Sequence, residues 1–442
     1  MVVRLMKFML LITLLLNACT PPATGVTSIE NVRPDGQEVV LWHAYTGAYQ
    51  TALLSQIDEF NAANPWHIIV VPEYHGDNEQ LTRELKTAVD NGSTPDLTIL
   101  PPADAWPLGN AVVRLQAYVD NPTYGLSADD LADMFGAMLD TTRDPKRGTL
   151  IGFPLGGECV VLVVNSDRLA AHNYLLPPNS WPLFSEVCQK TTFDKFGIDA
   201  TQEPQFDANN IVQYGLGFNP RADFATAWMV SRGGSLLSDD GLQTTFNSDE
   251  GVKTLQTLQQ TASSNCFYPT TDADEINDFA RGKVAMIFVL TTQLPDVFTA
   301  VQARGGFRWS VSPVPYGKRD PSLTISGPSW VMLHSSPAKQ LAAWLFVKWF
   351  SDTAQTVSWS QQTGLLPLRK SAAAGLADEL ASNTGLKVAF DLLAVAKAQP
   401  DIPAWGSIAE LLVHAVNAAV AGNDPAQVLD DAAKNADALL NQ

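Results

Sequence analysis

From residue 37 onward the chain alternates short apolar runs with amphipathic stretches. "EVVLWHAY" reads as a buried strand. In "YQTALLSQIDEFNAANP" the residues Leu53, Leu54, Ile57 and Phe60 fall on one helical face, and Pro65 ends the helix. "HIIVVPEY" is a second strand, "NEQLTRELKTAVDNG" places Leu81, Leu85 and Val89 on one face, and "PDLTILP" is a third strand. A strand–helix–strand–helix–strand series predicts a mostly parallel α/β sheet with right-handed crossovers. A second α/β section opens at "LIGFPLGGECVVLVVNSDRLA". Helical text resumes in "PAKQLAAWLFVKWFSDTAQTVSWSQQTG", and the last forty residues are Ala-rich and helical.

The start of the chain, "VVRLMKFMLLITLLLNACTPPATG", follows another logic. Its apolar stretch over residues 8–16 is far short of the roughly 20 residues that span a bilayer as a helix. Arg4 and Lys7 precede it and small residues follow, which is the pattern of an export signal. Leu16-Asn17-Ala18-Cys19 resembles the lipobox of bacterial lipoproteins, where the cysteine is acylated and becomes the first residue. This implies a signal peptide over residues 1–18, a lipid on Cys19, and a small, polar, proline-bearing tether over residues 19–36. The expected location is therefore extracytoplasmic and membrane-anchored.

About 400 residues remain, too many for one hydrophobic core, so two lobes are expected. The net charge of −18 becomes −20 once Arg4 and Lys7 leave with the signal. Such a surface repels nucleic-acid phosphates and anionic headgroups, which excludes nucleic acid as a partner. With Cys19 assigned to the anchor, Cys159, Cys188 and Cys266 are left. Either one pair forms, with Cys188–Cys266 the choice, or all three are buried thiols, which is the plainer expectation.

Enzyme signatures are missing. There is no G-x-S-x-G elbow, no H-E-x-x-H, no Walker loop and no metal-ligating C-x-x-C, and the six histidines are scattered. The aromatics say more. Of eleven tryptophans, Trp106, Trp228, Trp330 and Trp405 sit in loop-like text, whereas Trp344 and Trp349 lie on an apolar helix face and read as core. A flat ring stacks on the C–H face of a sugar while nearby carboxylates and amides bond its hydroxyls.

These segments, in this order, resemble the extracellular solute-binding proteins of ABC importers, in the large maltose-binding-like group. "LWHAYTGAYQTALLSQIDEFNAANP" is similar to the family's opening strand and helix, and "GTLIGFPLGGECVVLVVNSDRL" to its hinge strand. "INDFARGKVAMIFV" resembles its F-x-x-G-K-x-A-M strand entry, and "AAWLFVKWFSDTAQTVSWSQQTGLLPLRKSA" its A-x-x-F…W…G-x-x-P-x-R block. The resemblance implies two α/β lobes, each a mostly parallel sheet flanked by helices, with the ligand in the cleft between them. It puts residues 37–157 and 331–375 in the first lobe and residues 158–330 and 376–442 in the second. The chain crosses near residues 156–159, near residues 327–331 and after Arg369. Gly156, Gly157 and Gly327 are the expected hinge. The expected ligand contacts are Tyr45, Asp77, Asn78, Asp104, Trp106, Glu158, Trp228, Thr291, Trp330 and Trp405. The resemblance further implies a monomer that delivers its ligand to permease subunits, with no catalysis, no cofactor and no metal.

Within that group the opening "WHAYTG…HGDNEQ" is most similar to members that bind sn-glycerol 3-phosphate or its diesters. The loop where those members carry Asn and Ser after the Pro reads "LGGECV" here. Their phosphate-holding Arg has no counterpart in "AQPDIPAWGSI", and their loop Tyr is Asn78. With those donors missing from an acidic chain, a neutral sugar or oligosaccharide is the expected ligand. A glycerophosphate ligand, a sensing lipoprotein and an exported glycosidase are the alternatives.

Overall fold

The computed structural model describes residues 29–238, 240–317, 321–400 and 402–441. The signal peptide and Cys19 lie outside them. The tether expected over residues 19–36 is docked at its end: Ile29–Asn31 form a helical turn, Val32 is buried in the first core, and the Gly36 N–H donates to the Trp66 carbonyl at 2.8 Å.

The three opening strands form as their patterns predict. Glu38–His43 lies between Ile69–Tyr74 and Leu97–Leu100, all parallel. The helix Gly47–Ala63 buries Leu53, Ile57 and Phe60 against them. The helix Asn78–Asn91 is fixed at both ends. The Asp77 carboxylate accepts the Gln80 N–H at 2.8 Å, and Gly92 closes it at φ 65°. A carboxylate there satisfies a backbone donor that the helix leaves open, and only glycine reaches that φ cheaply.

Both sheets are mixed rather than mostly parallel. Ser329–Met332 joins the first sheet antiparallel to Leu97–Leu100 and to Phe153–Pro154. The second sheet runs Trp309–Pro313, Val160–Asn165, Val284–Leu290, Ile211–Phe218, Phe193–Asp194, with Phe267–Pro269 also on Ile211–Phe218. Val160–Asn165 is antiparallel to both its neighbours. The reason is topological. Strands linked by a helical crossover run parallel, whereas a strand arriving from the other lobe carries no such constraint. Ser329 and Trp330 belong to the first sheet, so the second crossing ends before residue 329 rather than at 331.

At the crossings the chain segments are bonded to one another. Glu158 and Ser326 exchange both backbone hydrogen bonds, at 2.8 and 3.1 Å, and the Gly157 N–H donates to the Leu366 carbonyl at 3.0 Å. A Cβ on Gly327 would stand 2.3 Å from the Gly156 carbonyl oxygen, so glycine is required there by close backbone approach. Arg369, after which the third crossing is expected, is tied by its buried guanidinium to Asp130 at 3.0 Å and Asp133 at 3.4 Å.

The expectation of three buried thiols is corrected. Cys188 and Cys266 form a disulfide, with Cα atoms 5.7 Å apart, and Cys159 is a buried free thiol. Among the described residues no helix is long and apolar enough to cross a membrane.

Candidate functional site

The carboxyl ends of the first three strands, at His43, Tyr74 and Leu100, open towards the second lobe. A cavity of about 400 Å³ lies there. The first lobe lines it with Tyr45, Tyr49, Asn78, the run 99–103 and Thr141, and the opposite wall is Glu158, the run 326–328, Gln399, Pro400 and Trp405. This is where open α/β sheets place ligands, because loops and helix N-termini converge at the strand ends.

Tyr45 follows the first strand, and its ring lies 5.2 Å from Tyr49 and 6.0 Å from Trp359. Its buried hydroxyl has no hydrogen-bond partner. Burial, with Tyr49 and Glu158 nearby, holds the Tyr45 phenol well above its ordinary range; burial and Glu158 push Tyr49 up to about 12. Both tyrosines therefore stay neutral donors at any physiological pH. Glu158 sits on the first crossing, where Oε2 accepts the Thr292 hydroxyl at 2.6 Å. Burial raises its pKa, the Thr292 bond opposes that, and Asp223 adds to it. Trp405 opens the helix Trp405–Val420, is 5% exposed, and its indole Nε1 has no partner.

A second hollow of about 580 Å³ shares Gln399 with the first and is walled by Arg221, Asp223, Asp272 and Glu410. Arg221 lies 3.5 Å from Asp223, 3.2 Å from Asp272 and 3.4 Å from Glu275. Glu275 is raised to about 7, chiefly by burial, with Arg221 and Asn219 pulling the other way.

The cleft thus gathers Tyr45, Asn78, Glu158 and Trp405 of the expected contacts, together with Gly327. Asp77 is turned to its helix cap next to Asn78. Asp104, raised by burial, and Trp106, with Arg114 over its ring at 5.5 Å, lie just beyond the cavity-lining run 99–103. Thr291 is buried, accepting the Cys159 N–H at 3.3 Å, and its neighbour Thr292 reaches Glu158 instead. Trp228 and Trp330 are corrections to the loop-tip reading. Trp228, 1% exposed, packs on Phe288 at 5.3 Å in the second lobe's core. Trp330, also 1% exposed, lies 5.4 Å from Phe346 and 5.0 Å from Phe350 in the first. The Gly-Pro-Ser before it leads into an inner strand covered on both edges, so its indole is core. Tyr49 was missed, although its place one turn after Tyr45 at the helix start is the signal that could have found it.

Two lobes built on mixed sheets, with a solute-sized cavity at the strand ends between them, define a cleft-binding protein. The family model for bacterial extracellular solute-binding proteins matches residues 55–388, and the chain belongs to that family. It is similar to the sn-glycerol-3-phosphate-binding periplasmic protein UgpB of Escherichia coli (strain K12), 23% identical over 350 residues that cover 76% of this chain and 75% of the relative. Among solved structures, the cyclic alpha-maltosyl-1,6-maltose binding protein from Arthrobacter globiformis superposes with a TM-score of 0.76 at 19% identity, over 91% of this chain and 98% of that one. UgpB from Mycobacterium tuberculosis, in complex with glycerophosphocholine, superposes with a TM-score of 0.70 at 18% identity, over 91% and 98%. The chain is thus an extracellular solute-binding protein with the two-lobed fold.

Proposed function

We propose that this chain captures a carbohydrate, a sugar or oligosaccharide, in the interlobe cleft and delivers it to the permease of an ABC importer. The observation that carries this reading is the lining itself. Three aromatic side chains, Tyr45, Tyr49 and Trp405, share the cavity with Glu158, Asn78 and Gln399, and among the described residues no Lys, Arg or His lines it. Rings supply stacking faces, and the carboxylate and amides supply partners for hydroxyls. The UgpB relatives keep a glycerophosphate or its diesters as the second reading, but among the described residues a phosphate in this cavity meets a carboxylate and no lining cation. In this reading the lobes close on the solute about the bonded segments at Gly156, Gly157 and Gly327.

A thermal-shift screen tests the reading. A saccharide that binds only the folded chain stabilises it by about 2.7 kcal/mol at 100 times its dissociation constant. Neutral saccharides are expected to raise the melting temperature, and sn-glycerol 3-phosphate is not; the reverse ranking would transfer the assignment to the phosphate.

The same reading places the protein on the outer side of a bacterial membrane as a monomer anchored through Cys19. Cys19→Ser is expected to release it from the membrane fraction, and mass analysis of the extracted wild type to show a diacylglyceryl adduct on that residue. A mature N-terminus elsewhere contradicts the anchor.

A further inference from the structure

The cleft offers a ligand two kinds of polar group. Each wall carries a buried donor with nothing to donate to, the Tyr45 hydroxyl on the first and the Trp405 indole Nε1 on the opposite one, the latter on a side chain only 5% exposed. Buried polar atoms of this kind are rare and costly unless something pairs with them, and a solute bearing acceptor oxygens does so. Against these donors stands one acceptor group, Glu158. One of its oxygens takes the Thr292 hydroxyl, and a carboxylate keeps several acceptor positions beyond that. Around it the charge is one-sided. Arg221, the only basic side chain lining either hollow among the described residues, is already met by Asp223, Asp272 and Glu275.

We propose that the solute is an amino sugar or an oligosaccharide containing one, whose ammonium group is held by Glu158 beside the rings of Tyr45 and Tyr49, while its oxygens accept from Tyr45 and Trp405. The inference rests on the carbohydrate reading and narrows it. A neutral sugar would satisfy the two donors but leave the acidic wall uncompensated. A phosphorylated solute would satisfy the donors and be repelled by that wall. An ammonium beside a desolvated carboxylate and aromatic faces gains from both, through a charge-assisted hydrogen bond and attraction to the ring quadrupoles.

The test is calorimetric titration of the full mature chain with the fully deacetylated chitosan disaccharide and with cellobiose, at mildly acidic pH where the amine is protonated. The two probes differ in ammonium against hydroxyl at the same ring positions. The diamine is expected to bind at least about tenfold more tightly, the weight of one charge-assisted hydrogen bond. Glu158→Gln keeps the shape and an acceptor for the Thr292 hydroxyl, and is expected to bring the ratio of diamine to cellobiose affinity down to about one, whatever it does to sugar binding as a whole. Cellobiose binding as tightly as the diamine, or a preference that survives Glu158→Gln, overturns the inference and leaves the carbohydrate reading intact. Should Glu158→Gln fail to fold, wild type in low and high sodium chloride decides. The diamine must lose more affinity than cellobiose as screening grows, and equal losses overturn the proposal. Choline and glycerophosphocholine separate the two claims. If they bind and no saccharide does, both the amino-sugar assignment and the carbohydrate reading fall. No binding by any cationic probe overturns the inference.

Discussion

Trp330→Ala is expected to destabilise the empty protein by about 3–5 kcal/mol, the usual cost of emptying a buried aromatic site. The indole sits on the inner antiparallel strand Ser329–Met332 of the first sheet, edge-on to Phe346 and Phe350. Its removal leaves a cavity between the sheet and the helix Pro337–Phe350 that neighbouring rings fill only in part. Total stability of a domain is about 5–15 kcal/mol, so this single change removes a large share of it. Denaturant unfolding of wild type and variant without ligand measures the loss. A loss below about 1 kcal/mol would mean that the ring is not packed as described.

The second large effect belongs to the disulfide. Cys188 and Cys266 are 78 residues apart, and closing a loop of that length lowers the entropy of the unfolded chain enough to stabilise the fold by about 4.5 kcal/mol in the chain-entropy model. Cys188→Ser with Cys266→Ser is expected to lower the unfolding midpoint by a corresponding amount. A thiol assay gives an independent readout. In Cys19→Ser protein, denatured without reductant, one thiol should react, that of Cys159. Three reactive thiols would restore the reading of three unpaired cysteines. An oxidising compartment outside the cytoplasm suits such a bond.

Much of the fold was legible because its signals are local. Leu53, Ile57 and Phe60 recur at helical spacing, and Asp77 and Gly92 mark helix ends by chemistry that needs no tertiary context. Sheet direction was not legible, because it depends on which lobe each strand returns to. The same limit explains Trp330 and Trp228. A turn-forming run before a tryptophan says that the chain bends, but not whether the next strand is an edge or is paired on both sides. Tyr45, Asn78 and Glu158 could be placed at the cleft because they follow strand ends or sit at a crossing, and Trp405 because the family resemblance puts its loop at the cleft rim. The wall of Arg221, Asp223, Asp272 and Glu275 could not. Arg221 and Asp223 open the helix Ala222–Ser231, whereas Asp272 and Glu275 lie just before and at the start of the helix Glu275–Ala280, and only packing brings three carboxylates around one guanidinium.

The cysteines show the opposite case. Three candidates in an exported chain allow one bond or none, and spacing alone favours neither. The structure decides by bringing the helix Trp181–Lys190 against the end of the helix Asp249–Ser263, where Cys188 and Cys266 face each other.

The central claim is that the solute is held between the lobes by side chains waiting there. Tyr45→Phe tests it most directly. The hydroxyl is buried and bonds to nothing in the empty protein, so its removal should leave the ligand-free melting temperature unchanged or slightly raised. If the bound solute accepts from it, calorimetry with any saccharide that the thermal-shift screen identifies should show affinity falling about 2- to 12-fold, the weight of one hydrogen bond. Unchanged affinity for that saccharide, with the variant folded as wild type, would contradict the account.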